Sequence, residues 1–103
     1  MGTYYFPTGT RLKATVGLIN RAPVSLNITV SITIFGITRS GNISLPAGST
    51  GNVSLDFGTI TSAKAAATPS GSLSYNGIIE SFVGADSVEI YAPDIDIVEI
   101  IWS

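Results

Sequence analysis

The chain has no cysteine and no histidine. Without cysteine there is no disulfide staple, no thiolate nucleophile and no Cys-ligated zinc, and the redox compartment leaves no trace. Without histidine the commonest general base and the commonest transition-metal ligand are both missing. Charge is scarce too. Asp, Glu, Lys and Arg make up 12% of the residues, about half the usual ~25%. No apolar run approaches the ~18 residues of a membrane-crossing helix. The start, MGTYYFPTGTRLK, has no basic stretch followed by an apolar one, so no signal peptide is visible. No G-x-S-x-G elbow, P-loop or EF-hand spacing occurs.

Hydroxyl takes the place of charge: 13 serines and 11 threonines stand among 103 residues. A charge-poor surface avoids the cost of desolvating ions in a contact. It suits a subunit packed among neighbours, although Ser and Thr are also ordinary on exposed strands. With 45% apolar residues, one domain spanning 1–103 has material for one core.

The few charges are segregated. Residues 1–52 hold Arg11, Lys13, Arg21 and Arg39 and no acid, a charge of +4. Residues 53–103 hold Lys64 against Asp56, Glu80, Asp86, Glu89, Asp94, Asp96 and Glu99, a charge of −6. Either a late strand lies beside an early one with opposite charges facing, or a basic face of one copy meets an acidic face of the next. Four basic residues without an aromatic cluster, in a net-negative chain, argue against nucleic acid as a partner.

Alternation with period two runs through the chain, and period 3.6 is nearly absent. Residues 24–34, VSLNITVSITI, alternate without a fault. Residues 10–20 and 50–57 do the same. Turns are expected at 20–23 (NRAP), 39–42 (RSGN) and 46–49 (PAGS). Residues 59–71 break the pattern and read as a connection between sheets, with SAKAAA able to form a helical turn. Asn76-Gly77 predicts a type I′ hairpin between SLSY and IIESFV. Residues 87–91 and 95–102 are the last two expected strands. The final one, IDIVEIIW, is apolar on both faces, with Ile95, Ile97 and Ile101 opposite Val98, Ile100 and Trp102. It calls for a central position or a partner chain.

Seven to nine short strands in about 100 residues predict an all-β chain folded as a single antiparallel β-sandwich, Ig-like in strand count and spacing. A small jelly roll or Greek-key barrel is the alternative. Residues 1–9 form a candidate N-terminal arm.

The run RLKATVGLIN…VSLNITVSITIFG…ISLPAGSTGNVSLDF resembles the Ig-like sandwich modules of the CARDB type found in bacterial and archaeal surface proteins. Asn20, in a turn after a strand, and the segment from Leu45 through Gly48 to Phe57 match that outline. The likeness covers about residues 11–57, and NRAP departs from the usual Asn followed closely by Gly. It implies a sandwich with a structural or adhesive role and carries no catalytic residue. Sandwiches of this size also serve as decoration or appendage subunits of phage and archaeal virions.

Candidate chemistry is thin. Asp94 and Asp96, with Asp86 and Glu89, could offer oxygens to Ca²⁺, or form an acidic rim paired with Arg11 and Lys13. Asp56 with Glu80 or Glu99 could form a glycosidase-like pair only across a cleft, which a small charge-poor sandwich rarely holds. The expectation is therefore no enzyme, no metal and no cofactor. Asn27, Asn42 and Asn52 each begin an N-x-S/T triplet, a glycosylation candidate in a secreted chain. Tyr4, Tyr5 and Phe6 at one end and Trp102 at the other are candidate interface anchors; the first three could equally pair at home, and for Trp102 the favoured reading is a cap on the core.

The reading that joins these features is a non-enzymatic assembly protein at a virion or extracellular surface. Its partners would be copies of itself or a capsid or surface-lattice protein, in a homo-oligomer or larger assembly. The interface candidates are Tyr4, Tyr5, Phe6, Arg11, Lys13, Asp94, Asp96, Glu99 and Trp102. The alternative is a cell-surface adhesion or filament module, N-glycosylated at the three asparagines.

Overall fold

A computed structural model describes residues 4–5, 9, 11–60, 66–84 and 92–103. Among the described residues nine strands follow in chain order: β1 (Tyr4–Tyr5), β2 (Arg11–Asn20), β3 (Leu26–Ile34), β4 (Ile37–Leu45), β5 (Thr50–Thr59), β6 (Ala66–Ala67), β7 (Ser70–Tyr75), β8 (Ile78–Val83) and β9 (Ile95–Trp102). Seven of them make two packed antiparallel sheets, one of order β5-β2-β9 and one of order β4-β3-β7-β8. The short β1 and β6 pair with each other. The described residues include no helix, and so none that could cross a membrane.

This is the β-sandwich that the alternation predicts. If the seven long strands are lettered A to G in chain order, the sheets read C-B-E-F and D-A-G. An immunoglobulin constant domain has ABED and CFG, so the likeness to it is one of architecture and strand number.

The alternation of β3 produces the core directly. Leu26, Ile28, Val30, Ile32 and Ile34 point inward and are buried, each contributing about 1.5–3 kcal/mol. Leu12, Ala14, Val16 and Leu18 of β2 face them, with Val53, Leu55 and Phe57 of β5 alongside. Trp102 is half-buried, its ring 5.9 Å from that of Phe57 and tilted by 34°.

The expected Asn76-Gly77 turn is present, with φ of 47° and 78°, as type I′ requires. The Pro46–Ser49 turn closes with Ser49 N–H on the Pro46 carbonyl at 3.1 Å. The connection after β5 does pass from one sheet to the other.

Three local expectations change. Residues 39–42 are not a turn but the middle of β4. The chain reverses earlier, at Phe35-Gly36, where φ is 52° and 73°. Gly41 sits in the strand because a β-carbon there would lie 2.6 Å from Val53 Cγ1. The long alternating strand begins at Leu26 rather than Val24, which is exposed.

The third change concerns β9. The pairing register slips opposite Gly17 and Leu18, leaving Val98 as an extra residue in β9. The bulge shifts the phase of the strand. Ile95, Ile97 and Ile100 are buried, while Val98 and Ile101 are exposed. Among the described strands β9 pairs with β2 alone. The expected strand at 87–91 lies outside the described residues, as does most of SAKAAA.

Asn20 is the one buried polar side chain among the described residues. Its Nδ2 donates to the carbonyls of Val24 (3.0 Å), Leu45 (3.0 Å) and Pro46 (3.2 Å). Its Oδ1 accepts from Ala22 N–H at 2.8 Å. This single amide fastens the β2–β3 turn to the β4–β5 turn. At the opposite strands of the core, Tyr75 Oη accepts from Asp94 N–H at 3.2 Å, and burial pushes the phenol's pKa up.

Candidate functional site

The polar positions of β3 open onto the outer face of the four-stranded sheet. Cross-strand register sets twelve outward residues there in three rows. Ser40, Ser31, Ser72 and Ser81 form the middle row across β4, β3, β7 and β8. Asn42, Thr29, Ser74 and Ile79 lie on one side of it. Thr38, Thr33, Ser70 and Val83 lie on the other. Asn27 and Ser44 extend the face at one end.

Among the described residues no charged side chain stands on this face. The polar groups bond one another across the β3–β4 ladder. Thr29 Oγ1 donates to Asn42 Oδ1 at 2.8 Å, and Ser44 Oγ donates to Asn27 Oδ1. The Thr33 and Thr38 hydroxyls are 2.6 Å apart, and Ser40 Oγ donates to Ser31 Oγ at 3.1 Å. Two shallow depressions of about 300 Å³ interrupt the surface, one over Asn27, Thr29, Asn42 and Ser44, the other between Ser31, Thr33, Ser70 and Ser81. The two apolar members, Ile79 and Val83, are 70% and 49% exposed.

The described charges lie elsewhere. Arg11, Lys13, Asp56, Asp96 and Glu99 stand on the outward side of the three-stranded sheet. Arg11 Nη2 is 2.6 Å from Asp56 Oδ2, and its Nε donates to the same oxygen at 2.8 Å. With the Arg11 guanidinium and the Gly58 N–H both bonded to it, the Asp56 carboxyl is pulled down to about 2. Arg21 pairs with Asp96 and donates its N–H to the Asp94 carbonyl at 2.7 Å. Both ion pairs join an early base to a later acid within the chain, as the intrachain arrangement of charge requires. Arg39 reaches from β4 to the Asp56 carbonyl oxygen at 3.1 Å. Glu99 leans over Gly17, where a β-carbon would meet its Cγ at 3.1 Å.

The interface candidates near β2 and β9 are therefore spread along one sheet. Arg11, Lys13 and Trp102 lie toward one end, and Lys13 exchanges two backbone hydrogen bonds with Ser103. Asp94 and Asp96 lie at the other end, beside Arg21. Asp96 is engaged in an ion pair with Arg21 rather than with Arg11 or Lys13. Tyr4 and Tyr5 pair through their backbone with Ala66–Ala67, and Phe6, Lys64, Asp86 and Glu89 lie outside the described residues.

Of the glycosylation candidates, Asn27 and Asn42 share the uncharged face, and Asn52 is on the other sheet beside Gly17. Asn42 belongs to a strand, not to a turn. The outer face itself, as a grid of rows, was not visible in the alternation of β3 alone. The signal that could have found it is S-x-S-x-S in β7 read as a neighbour of β3.

Comparison of the chain with family models, with curated proteins and with solved structures gives no match.

Proposed function

We propose that the chain is a non-enzymatic assembly subunit, a virion decoration (cement) or tail-appendage protein, that docks on a larger lattice and buries the uncharged face of β4-β3-β7-β8 in a contact between subunits of that assembly. The observation that carries this reading is the segregation of charge: hydroxyl, amide and aliphatic groups fill the outward rows of one sheet, while its described ions, Arg39 and Glu80, sit at the alternate positions opposite Ile32 and Leu73, and the other described ions lie on the other sheet and at its ends. Burying such a face strips no ion of water, and its hydroxyls can donate or accept to whatever covers them. The ion pairs on the opposite sheet keep that side in solvent, where they lose least. A CARDB-type sandwich would be used in the same structural way.

The test is co-sedimentation with virions or cell-envelope particles from the source organism. The wild-type chain should pellet with one of them. Ser31→Arg/Ser72→Arg, which puts charge in the middle row, should remain in the supernatant with an unchanged circular dichroism spectrum. A wild-type chain that pellets with neither overturns the proposal.

The second reading is a glycosylated cell-surface module. The exposure of Asn27, Asn42 and Asn52, all starting N-x-S/T triplets, favours it. Intact mass of the native protein decides: sugar on these asparagines supports this reading, and bare asparagines with particle binding support the first.

A further inference from the structure

The three rows of the uncharged face match one another about their centre. Each flanking row has an amide or hydroxyl on β4, hydroxyls on β3 and β7, and a β-branched aliphatic side chain on β8. A half-turn about the serine row lays one flanking row over the other. Thr33 then meets Thr29 of the second copy, Ser70 meets Ser74, Thr38 meets Asn42, and Val83 meets Ile79. The serine row meets itself.

We infer that this face pairs with the same face of a second copy of the chain, about a two-fold axis along Ser40, Ser31, Ser72 and Ser81. The inference rests on the reading of this sheet as a contact surface and names its partner. Three physical arguments select a copy of itself. First, a hydroxyl is donor and acceptor at once, so rows of hydroxyls can satisfy identical rows. Second, with no charge among the described residues of the face, its rows bring no like charges together in two copies, although the chain carries a net charge of −2. Third, this axis puts the exposed Ile79 and Val83 against each other across the pair. An axis along the strands would instead face β8 with β4 and set both aliphatic groups on Asn42 and Thr38.

The area limits the strength. Four strands at ~4.8 Å and three rows at ~6.8 Å cover roughly 400 Å² per copy, about half the ~800 Å² of a standard interface. The isolated pair should therefore be weak, with a Kd on the order of 100 μM or weaker. Copies held close by a lattice would pair far more fully, because their effective concentration reaches the millimolar range, on the order of 1 mM or more.

Sedimentation equilibrium of the full chain up to about 1 mM, with amide NMR shifts to locate the contact, tests this. Wild type should self-associate, with shifts moving on β3, β7 and β8. Thr29→Lys/Thr33→Lys sets like charges over each other and should weaken association at least about tenfold. Thr29→Glu/Thr33→Lys sets each acid over a base of the second copy and should associate at least as well as wild type. Ser72→Arg, close to the axis, faces its own copy and serves as an independent arm should either double variant fail to fold. A wild type that stays monomeric, or two double variants that weaken alike, overturns the inference. The particle assay separates this from the docking proposal. A monomer that still pellets with particles sinks self-pairing alone, and a chain that pairs but pellets with nothing sinks docking alone.

Discussion

Thr29 donates its hydroxyl to Asn42 Oδ1 at 2.8 Å across the β3–β4 ladder. One register step away, Ser44 does the same to Asn27. Each of these two N-x-S/T triplets thus gives its hydroxyl to the asparagine of the other. The triplets have a structural origin here: two antiparallel strands with small polar residues at alternate outward positions place Asn opposite Thr and Ser. Cross-strand pairs of this kind contribute roughly 0.2–1 kcal/mol. A double-mutant cycle on Thr29→Val and Asn42→Leu should return a coupling of about 0.5 kcal/mol by urea denaturation. A coupling of zero would mean that water serves both groups equally well.

Asn20 should matter far more than any surface polar group. Its replacement by Ala leaves the Leu45 carbonyl and the Ala22 N–H without this partner in a buried place, and the Pro46 carbonyl without it in a part-buried one. Each unsatisfied buried group costs about 1–3 kcal/mol. Asn20→Ala should therefore lower stability by about 3 kcal/mol or more. Asn20→Asp should do at least as much at neutral pH, since it turns a carboxylate toward three carbonyl oxygens. Chemical denaturation of the two variants against wild type checks both, and a loss below about 1 kcal/mol for Asn20→Ala would show that water replaces the amide.

Much of this architecture was legible because it rests on local rules. Alternation in β3 placed five inward residues correctly, and Asn76-Gly77 named its own turn. The misread segments fail for non-local reasons. Arg39-Ser40-Gly41-Asn42 has turn composition, yet its glycine answers to Val53 and Leu55 on another strand. The phase of β9 changes at Val98 because of a bulge against β2, and no residue of IDIVEIIW announces it. The serine row is likewise hidden. Ser31, Ser40, Ser72 and Ser81 are scattered in sequence, and only the order β4-β3-β7-β8 brings them into line.

Two glycines make the packing argument testable. A β-carbon at Gly71 would lie 2.5 Å from both the Ser31 carbonyl oxygen and Phe82 Cζ. Backbone oxygen cannot retreat without loosening the β3–β7 ladder, so Gly71→Ala should cost about 2–3 kcal/mol, the upper part of the overpacking range. At Gly41 the obstacle is a side chain, Val53 Cγ1 at 2.6 Å. Val53→Ala can remove it. Gly41→Ala should cost about 1–2 kcal/mol alone and less than that in a Val53→Ala background, a non-additivity that thermal melts of the four proteins will show.

The Arg11–Asp56 pair makes a pH prediction with a definite sign. Asp56 ionises near 2 in the folded chain, below its ordinary value of 3.8, because Arg11 and the Gly58 N–H favour the carboxylate. The folded state therefore holds the proton less tightly than the unfolded state. Its stabilising contribution is complete above about pH 4–5 and is lost as pH falls through the folded value. Both side chains are well exposed, so salt should shrink the effect. Asp56→Asn keeps the side chain's shape and removes the titration. Urea midpoints of wild type and Asp56→Asn should differ most near pH 5–7 and converge as the pH is lowered toward 2. Arg11→Ala should show a similar convergence, and 1 M salt should narrow the gap at pH 6. A gap that instead widens toward acid would mean that the carboxyl is stabilised in its protonated form, contrary to the guanidinium contact.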